Sequence, residues 1–257
     1  MSSDATHYYE GLQQDSDLSD RPVPPAEPQT STTQELGYLN QVSEISIRQL
    51  PDVREMTRGT EEPNQYVIVE KSTGELLYKV IEDHAVCMQQ ICCSNRTFTL
   101  RLVDKFNREI IKIIRPHISC NWCCGLTDFY DKVEVWVRNF KSMRFDWRKF
   151  GYVKKFWCPL LPLFRVYEGE AGDSQFAITG PVVTAGASTF TIKKSWTSTE
   201  PLGIIRKEWA GLCREFTSEY DVFSLKFPPD IDEKMKVILI GALFLIDYKF
   251  YEGAACL

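Results

Sequence analysis

Three cysteines, Cys120, Cys123 and Cys124, form the pattern C-x-x-C-C, with the adjacent pair Cys92–Cys93 upstream. A thiolate is a soft metal ligand, and the interval from Cys120 to Cys123 is one found in zinc knuckles. A second C-x-x-C is missing, however, and adjacent cysteines chelate a single zinc poorly. Two other chemistries fit the same residues. They are ordinary free or buried thiols, or they carry S-acyl chains at a membrane face, which the neighbouring Trp122, Phe129 and Tyr130 favour. One acyl chain gives only marginal membrane affinity, so firm anchoring takes a second chain or a basic patch.

A basic patch follows directly. Lys132, Arg138, Lys141, Arg144, Arg148, Lys149, Lys154 and Lys155 are opposed there by Glu134 and Asp146. They are interleaved with Trp136, Phe140, Met143, Phe145, Trp147, Phe150 and Tyr152. Cations attract an anionic leaflet while aromatic rings settle at headgroup level. The same mixture binds nucleic acid by phosphate contact and stacking, and a solvated strand pair carries it with no partner. Adjacency to the cysteines favours an anionic phospholipid membrane as the partner.

A third group is acidic. Glu219, Asp221, Asp230 and Asp232 offer the hard oxygen ligands that calcium takes. Phe223 and Leu225 occupy positions where an EF-hand would have ligands, and no glycine supplies its central turn, so a calcium site here is expected to be weak. The competing reading is an edge strand, 222–227, followed by acids that cap a helix. Catalysis has little support: the histidines are His7, His84 and His117, and no nucleophile elbow, phosphate loop or metalloprotease signature is present.

The elements that must position these groups are mostly strands. Residues 66–70 and 75–80 flank the turn Lys71-Ser-Thr-Gly74, and 98–103 and 110–114 flank a turn containing Asp104 and Asn107. Further pairs are 133–137 with 151–156, 164–167 with 176–179, and 189–193 with 202–209. Five hairpins without βαβ spacing predict an antiparallel barrel or sandwich. Two segments read as helical, a short one within 37–50 and a longer one over 232–248. The second contains the run Val237, Ile238, Leu239, Ile240, Gly241, Ala242, Leu243, Phe244, Leu245, Ile246. Ten apolar residues rise about 15 Å as a helix, half of the roughly 30 Å of bilayer hydrocarbon. A helix apolar all round in an almost all-β chain predicts a sheet wrapped around it, with Gly241 and Ala242 allowing close approach.

Length admits one large all-β domain or two ordinary ones, and the apolar content is ample for a real core. The 257 residues carry a formal charge of −5 and 44% hydrophobic residues. Residues 1–38 hold seven acids against Arg21 alone, so the rest of the chain is near neutral. With Pro22, Pro24, Pro25 and Pro28, residues 1–36 read as a disordered acidic tail, a candidate contact for protein partners. Residues 37–252 read as the domain and 253–257 as a short second tail. Nine cysteines with no recognisable signal peptide predict a reducing, cytoplasmic-side location. Cys256 stands second from the end, which does not make a prenylation box.

The cysteine group beside a double hairpin, CPLLPLF at 158–164, ITGP at 178–181, and FPPDIDEKMKVILIGALFLIDYKFYE at 227–252 together resemble the phospholipid scramblase family. The resemblance implies calcium-stimulated, ATP-independent movement of phospholipids between leaflets, at the plasma membrane, by a tubby-like barrel closed around a central C-terminal helix. It assigns the calcium segment to Glu219, Asp221, Phe223, Leu225, Phe227 and Asp230, with Asp232 just beyond. Glu219 departs from the family's usual Asp, and Val222 from a residue often polar. The family's palmitoylation segment corresponds to Cys120, Cys123 and Cys124, in a thinner form interrupted by Asn121 and Trp122. The family is usually described with a C-terminal transmembrane segment, but the length of Val237–Ile246 favours a helix inside the barrel.

Overall fold

The computed structural model describes residues 36–50, 64–83, 97–116, 131–139, 146–158, 160–170, 172–182, 187–208 and 222–251. Residues 1–35 of the acidic tail and the cysteines at 120, 123 and 124 lie outside these residues, as do Glu219, Asp221, Lys141 and Arg144; Leu36 is fully buried in the core. Twelve strands are described: β1 (Glu44–Gln49), β2 (Gln65–Glu70), β3 (Leu76–Glu82), β4 (Phe98–Val103), β5 (Glu109–Arg115) and β6 (Lys132–Asn139), then β7 (Asp146–Phe156), β8 (Leu163–Glu168), β9 (Ser174–Thr179), β10 (Ser188–Lys193), β11 (Gly203–Glu208) and β12 (Val222–Lys226). Each pairs antiparallel with the next in sequence, and β12 pairs with β1 to close the barrel. One helix, α1 (Glu233–Phe250), runs up the axis.

Alternation builds the wall. In β6, Val133, Val135 and Val137 are fully buried, while Lys132, Glu134, Trp136 and Arg138 lie on the other face and are half-buried. Turn chemistry sets the register. Asp104 accepts from the backbone N–H of Phe106 and Arg108 at 2.9 and 2.8 Å, Asn107 takes a left-handed φ of 62°, and Gly74 takes one of 73°. Those conformations favour Asn and Gly and fix the β4–β5 and β2–β3 turns.

Helix α1 starts at Asp232, whose side chain accepts from Met235 N at 3.0 Å, with Glu233 in the first turn. Such a cap contributes about 1 kcal/mol. Every residue from Met235 to Tyr248 is buried. Each large apolar side chain removed from water there contributes about 1.5–3 kcal/mol, so burial outweighs propensity in holding the helix. Gly241 is needed on sterics: a Cβ there would lie 2.6 Å from Val135 Cγ2. At Gly151 an added Cβ would collide with the Tyr167 carbonyl and the tip of Ile238. No described helix is long and apolar enough to cross a membrane.

Two expectations are corrected. Within 37–50 only Gly37–Gln41 is helical, as a single 3-10 turn, and Glu44–Gln49 is strand β1. β-branched Ile45 and Ile47 alternate with Ser46 and Arg48, and this period of two wins over the helical spacing before it. The strand expected at a sheet edge over 222–227 is β12, which has ladder partners on both sides, β1 and β11. Barrel closure removes that edge.

The two ends of the barrel differ. The odd-numbered strands, β1 to β11, finish at the end where α1 finishes; the even-numbered strands finish at the other. At the starting end, Lys236 Nζ donates to the carbonyls of Leu39, Asn40 and Val42 at 2.8, 3.0 and 2.9 Å, tying the 3-10 turn over the barrel. Burial lowers the Lys236 pKa below the ordinary lysine range, partly opposed by Glu233. At the finishing end, Phe164, Phe190 and Phe250 form mutual ring contacts across the mouth.

Candidate membrane-interaction surface

The basic residues singled out in the sequence do not share one face. Lys132, Arg138, Lys149 and Lys154 lie on the outer wall of β6 and β7. Lys132 and Lys149 both donate to Glu134 Oε1 at 2.9 Å, and Lys149 Nζ lies 5.4 Å from the Tyr152 ring centroid. Burial pushes the Glu134 carboxyl pKa up, but the two ammonium groups outweigh it and hold it below the usual carboxylate range. Arg148 is exposed near the other end, where it lines an open depression with Glu168, Gln175 and Lys234.

Lys155 is separate again. It pairs across the ladder with buried Phe164, is itself buried, and sits 5.6 Å from the Phe250 ring centroid. It therefore belongs to the mouth. Beneath that mouth Arg115 makes a bidentate contact to Asp131, Nε to Oδ1 at 2.9 Å and Nη2 to Oδ2 at 2.7 Å, and Lys249 Nζ approaches Oδ2 at 3.7 Å. Arg115 and Asp131 are almost wholly enclosed. They bracket the connection carrying Cys120, Cys123 and Cys124, which leaves after Pro116 and returns at Asp131. The pair pins both ends of that connection.

The ladder also assembles a group that the sequence did not reveal. Lys132 faces Lys154, and Lys154 faces Arg165, so three cations stand directly opposite one another across β6, β7 and β8. Arg165 then faces Ala177, which faces Lys193. The Arg165 guanidinium lies 4.1 Å from the Trp196 ring centroid and 5.3 Å from that of Phe156, and Lys154 is 5.4 Å from Phe156. Arg165 and Trp196 went unnoticed because only the register brings them to Lys154. The signal available was the alternation in LFRVYE, which turns Arg165 outward.

In the acidic segment, Phe223, Leu225 and Phe227 are buried apolar side chains, and the β12 backbone is engaged in two ladders. Asp230 is exposed with a left-handed φ of 56°, and Asp232 caps α1. Among the described residues no three His, Cys, Asp or Glu side chains gather as a metal site. Cys158 is a half-buried free thiol in the β7–β8 connection.

Comparison with known proteins matches this chain to one family. The chain is 34% identical over 234 residues to human phospholipid scramblase 1, covering 90% of this chain and 70% of the relative. It is 33% identical to bovine phospholipid scramblase 2, covering 84% and 71%, and 32% identical to human phospholipid scramblase family member 5, covering 88% and 80%. No solved structure matches. A sequence model of the Scramblase family matches residues 23–253, through all twelve strands and the axial helix, and the chain therefore belongs to the scramblase family.

Proposed function

We propose that this protein moves phospholipids in both directions between the leaflets of a membrane, without ATP and under stimulation by calcium. Family membership carries the reading: relatives named phospholipid scramblases align along nine tenths of the chain. The physical task is to lower the barrier to passing a polar headgroup through hydrocarbon, where one charge costs from about 3 to more than 10 kcal/mol. No covalent bond of the lipid changes. The protein attaches to the cytoplasmic side, at the plasma membrane, through acyl chains on Cys120, Cys123 and Cys124 together with outer-wall cations. Calcium engages the acidic segment around Glu219, Asp221 and Asp230, weakly.

Purified protein reconstituted into asymmetric vesicles tests the activity as calcium is titrated. The expected result is faster loss of leaflet asymmetry than in empty vesicles; equal rates at every calcium level would sink the proposal. Acylation is read separately by labelled-palmitate incorporation, which should fall when the three cysteines are replaced together. One observation favours a second reading, a membrane-attached regulatory module that binds lipid or protein without moving lipid. Among the described residues the barrel interior is filled by α1 and buried side chains, which leaves a headgroup no evident lumen there. That reading predicts salt-sensitive vesicle binding with scrambling at background.

A further inference from the structure

Seven large apolar side chains stand exposed among the described residues, and five of them, Leu50, Trp157, Leu160, Leu161 and Val182, lie at the end where α1 finishes. Four of these sit in two neighbouring connections, β7–β8 and β9–β10. Leu160 is 70% exposed, Val182 71% and Trp157 53%. Large apolar side chains exposed together at one end of a folded domain mark a site for a partner.

The two connections are built as one unit. Gly180 N donates to the Pro162 carbonyl at 2.8 Å, bridging them. A Cβ at Gly180 would lie 2.5 Å from Phe190 Cε1 and 3.0 Å from Pro162 Cγ, so only glycine allows this approach. The aromatic mouth beneath, Phe164 with Phe190 and Phe250, backs the pair.

The same corner carries the cation row Lys132–Lys154–Arg165 on its outer wall. Glu134 Oε1, 2.9 Å from Lys132 Nζ, offsets part of the repulsion between these facing like charges, and an anionic surface supplies further counter-charge. Apolar tips with a tryptophan, flanked by cations, match the cross-section of a leaflet: acyl chains, interface, then phosphate. Resting on the membrane reading above, we propose that the described apolar side chains flanking β7, β8 and β9 at this end form a wedge inserted into one leaflet of an anionic phospholipid membrane. Trp157, Leu160, Leu161 and Val182 enter the lipid, and Lys132, Lys154 and Arg165 face headgroup phosphates. The barrel then stands on the bilayer by the end where its helix finishes. The roots of the cysteine-bearing connection, Pro116 and Asp131, are at that same end.

Flotation of the non-acylated full chain with vesicles of mixed phosphatidylcholine and phosphatidylserine tests this. The combined variant Trp157→Ser, Leu160→Ser, Val182→Ser removes exposed side chains, and its melting temperature verifies the fold. Its vesicle partitioning should fall by about tenfold or more, because interfacial binding scales with buried apolar area. Phe106→Ser, 67% exposed in the β4–β5 turn at the opposite end, should leave partitioning unchanged. Lys154→Gln with Arg165→Gln should lower partitioning into the mixed vesicles and leave that into pure phosphatidylcholine unaltered. If wild type floats and the triple variant floats equally, the wedge is refuted while membrane attachment stands. An equal loss from Phe106→Ser also refutes the wedge. Failure of the wild-type chain to float refutes both.

Discussion

Replacing Gly241 by leucine separates a helix that fills a barrel from one that crosses a bilayer. In the barrel, the first added carbon already falls 2.6 Å from Val135 Cγ2, with Val133 Cγ1 at 3.8 Å and Ile113 Cγ2 at 4.0 Å. Valine is stiff at χ1, so its methyl group cannot rotate away cheaply. Three more carbons have no space, and overpacking of this kind costs about 1–3 kcal/mol or more. Helix propensity returns at most about 1 kcal/mol, since glycine is the poorest ordinary helix former. Taking the upper end of the cost less that return, the loss is about 2 kcal/mol, or a fall in melting temperature of about 4–8 °C for a domain of this size. Alanine at the same position, adding one carbon, should lose less. Circular dichroism melts of the non-acylated protein measure the series. In a spanning helix leucine would instead improve insertion by about 0.5 kcal/mol. An unchanged or raised melting temperature for Gly241→Leu would refute the packing argument.

Other perturbations probe the two ends. Asp131→Asn leaves Arg115 enclosed without its carboxylate partner and should cost about 3–5 kcal/mol in urea unfolding. Lys236→Met removes a donor shared by three carbonyls and should cost about 2 kcal/mol, read by hydrogen exchange that rises first in residues 37–42. Asp232→Ala should cost about 1 kcal/mol in equilibrium unfolding through loss of the α1 cap. Because Glu134 titrates below its unfolded value of about 4.3, its stabilisation is present above that pH and lost as pH falls through the depressed value. Glu134→Gln should therefore flatten the acid limb of the stability profile; an unchanged limb would remove Glu134 from the account.

The hairpins were legible because each combines period-two alternation with a turn whose residues have a reason to be there, as Asp104 and Asn107 do. The axial helix was legible because ten apolar residues are too short to span and too apolar to leave exposed. Residues 37–50 misled because two periods abut: Tyr38, Leu39 and Val42 suit a helix, while Ile45 and Ile47 suit a strand. Partners distant in sequence were not legible. Nothing near Val222 announces that β1, at the other end of the domain, covers its free side. The basic stretch shows the same limit at closer range. Lys154 and Lys155 read as one feature, yet alternation sends the first to the outer wall and the second into the mouth. Val153, buried one position earlier, carried the needed phase.

The packed axis constrains how such a protein can act on lipid. From Val237 to Ile246 every residue of α1 is buried against the wall, so the described interior gives a headgroup no open route through the barrel. Any acceleration of lipid transfer must be exerted from the outer wall or the rim, by changing the bilayer rather than by conducting through the protein. Side chains wedged into one leaflet spread its headgroups, and a row of cations offsets phosphate charge beside the defect; both lower the cost of bringing a headgroup toward hydrocarbon. Binding and scrambling are then coupled through the rim. Weakening the wedge should lower both in proportion, whereas Gly241→Leu, at temperatures where it stays folded, should leave both intact. A variant that scrambles normally with its rim detached from lipid would require a path that this barrel does not contain.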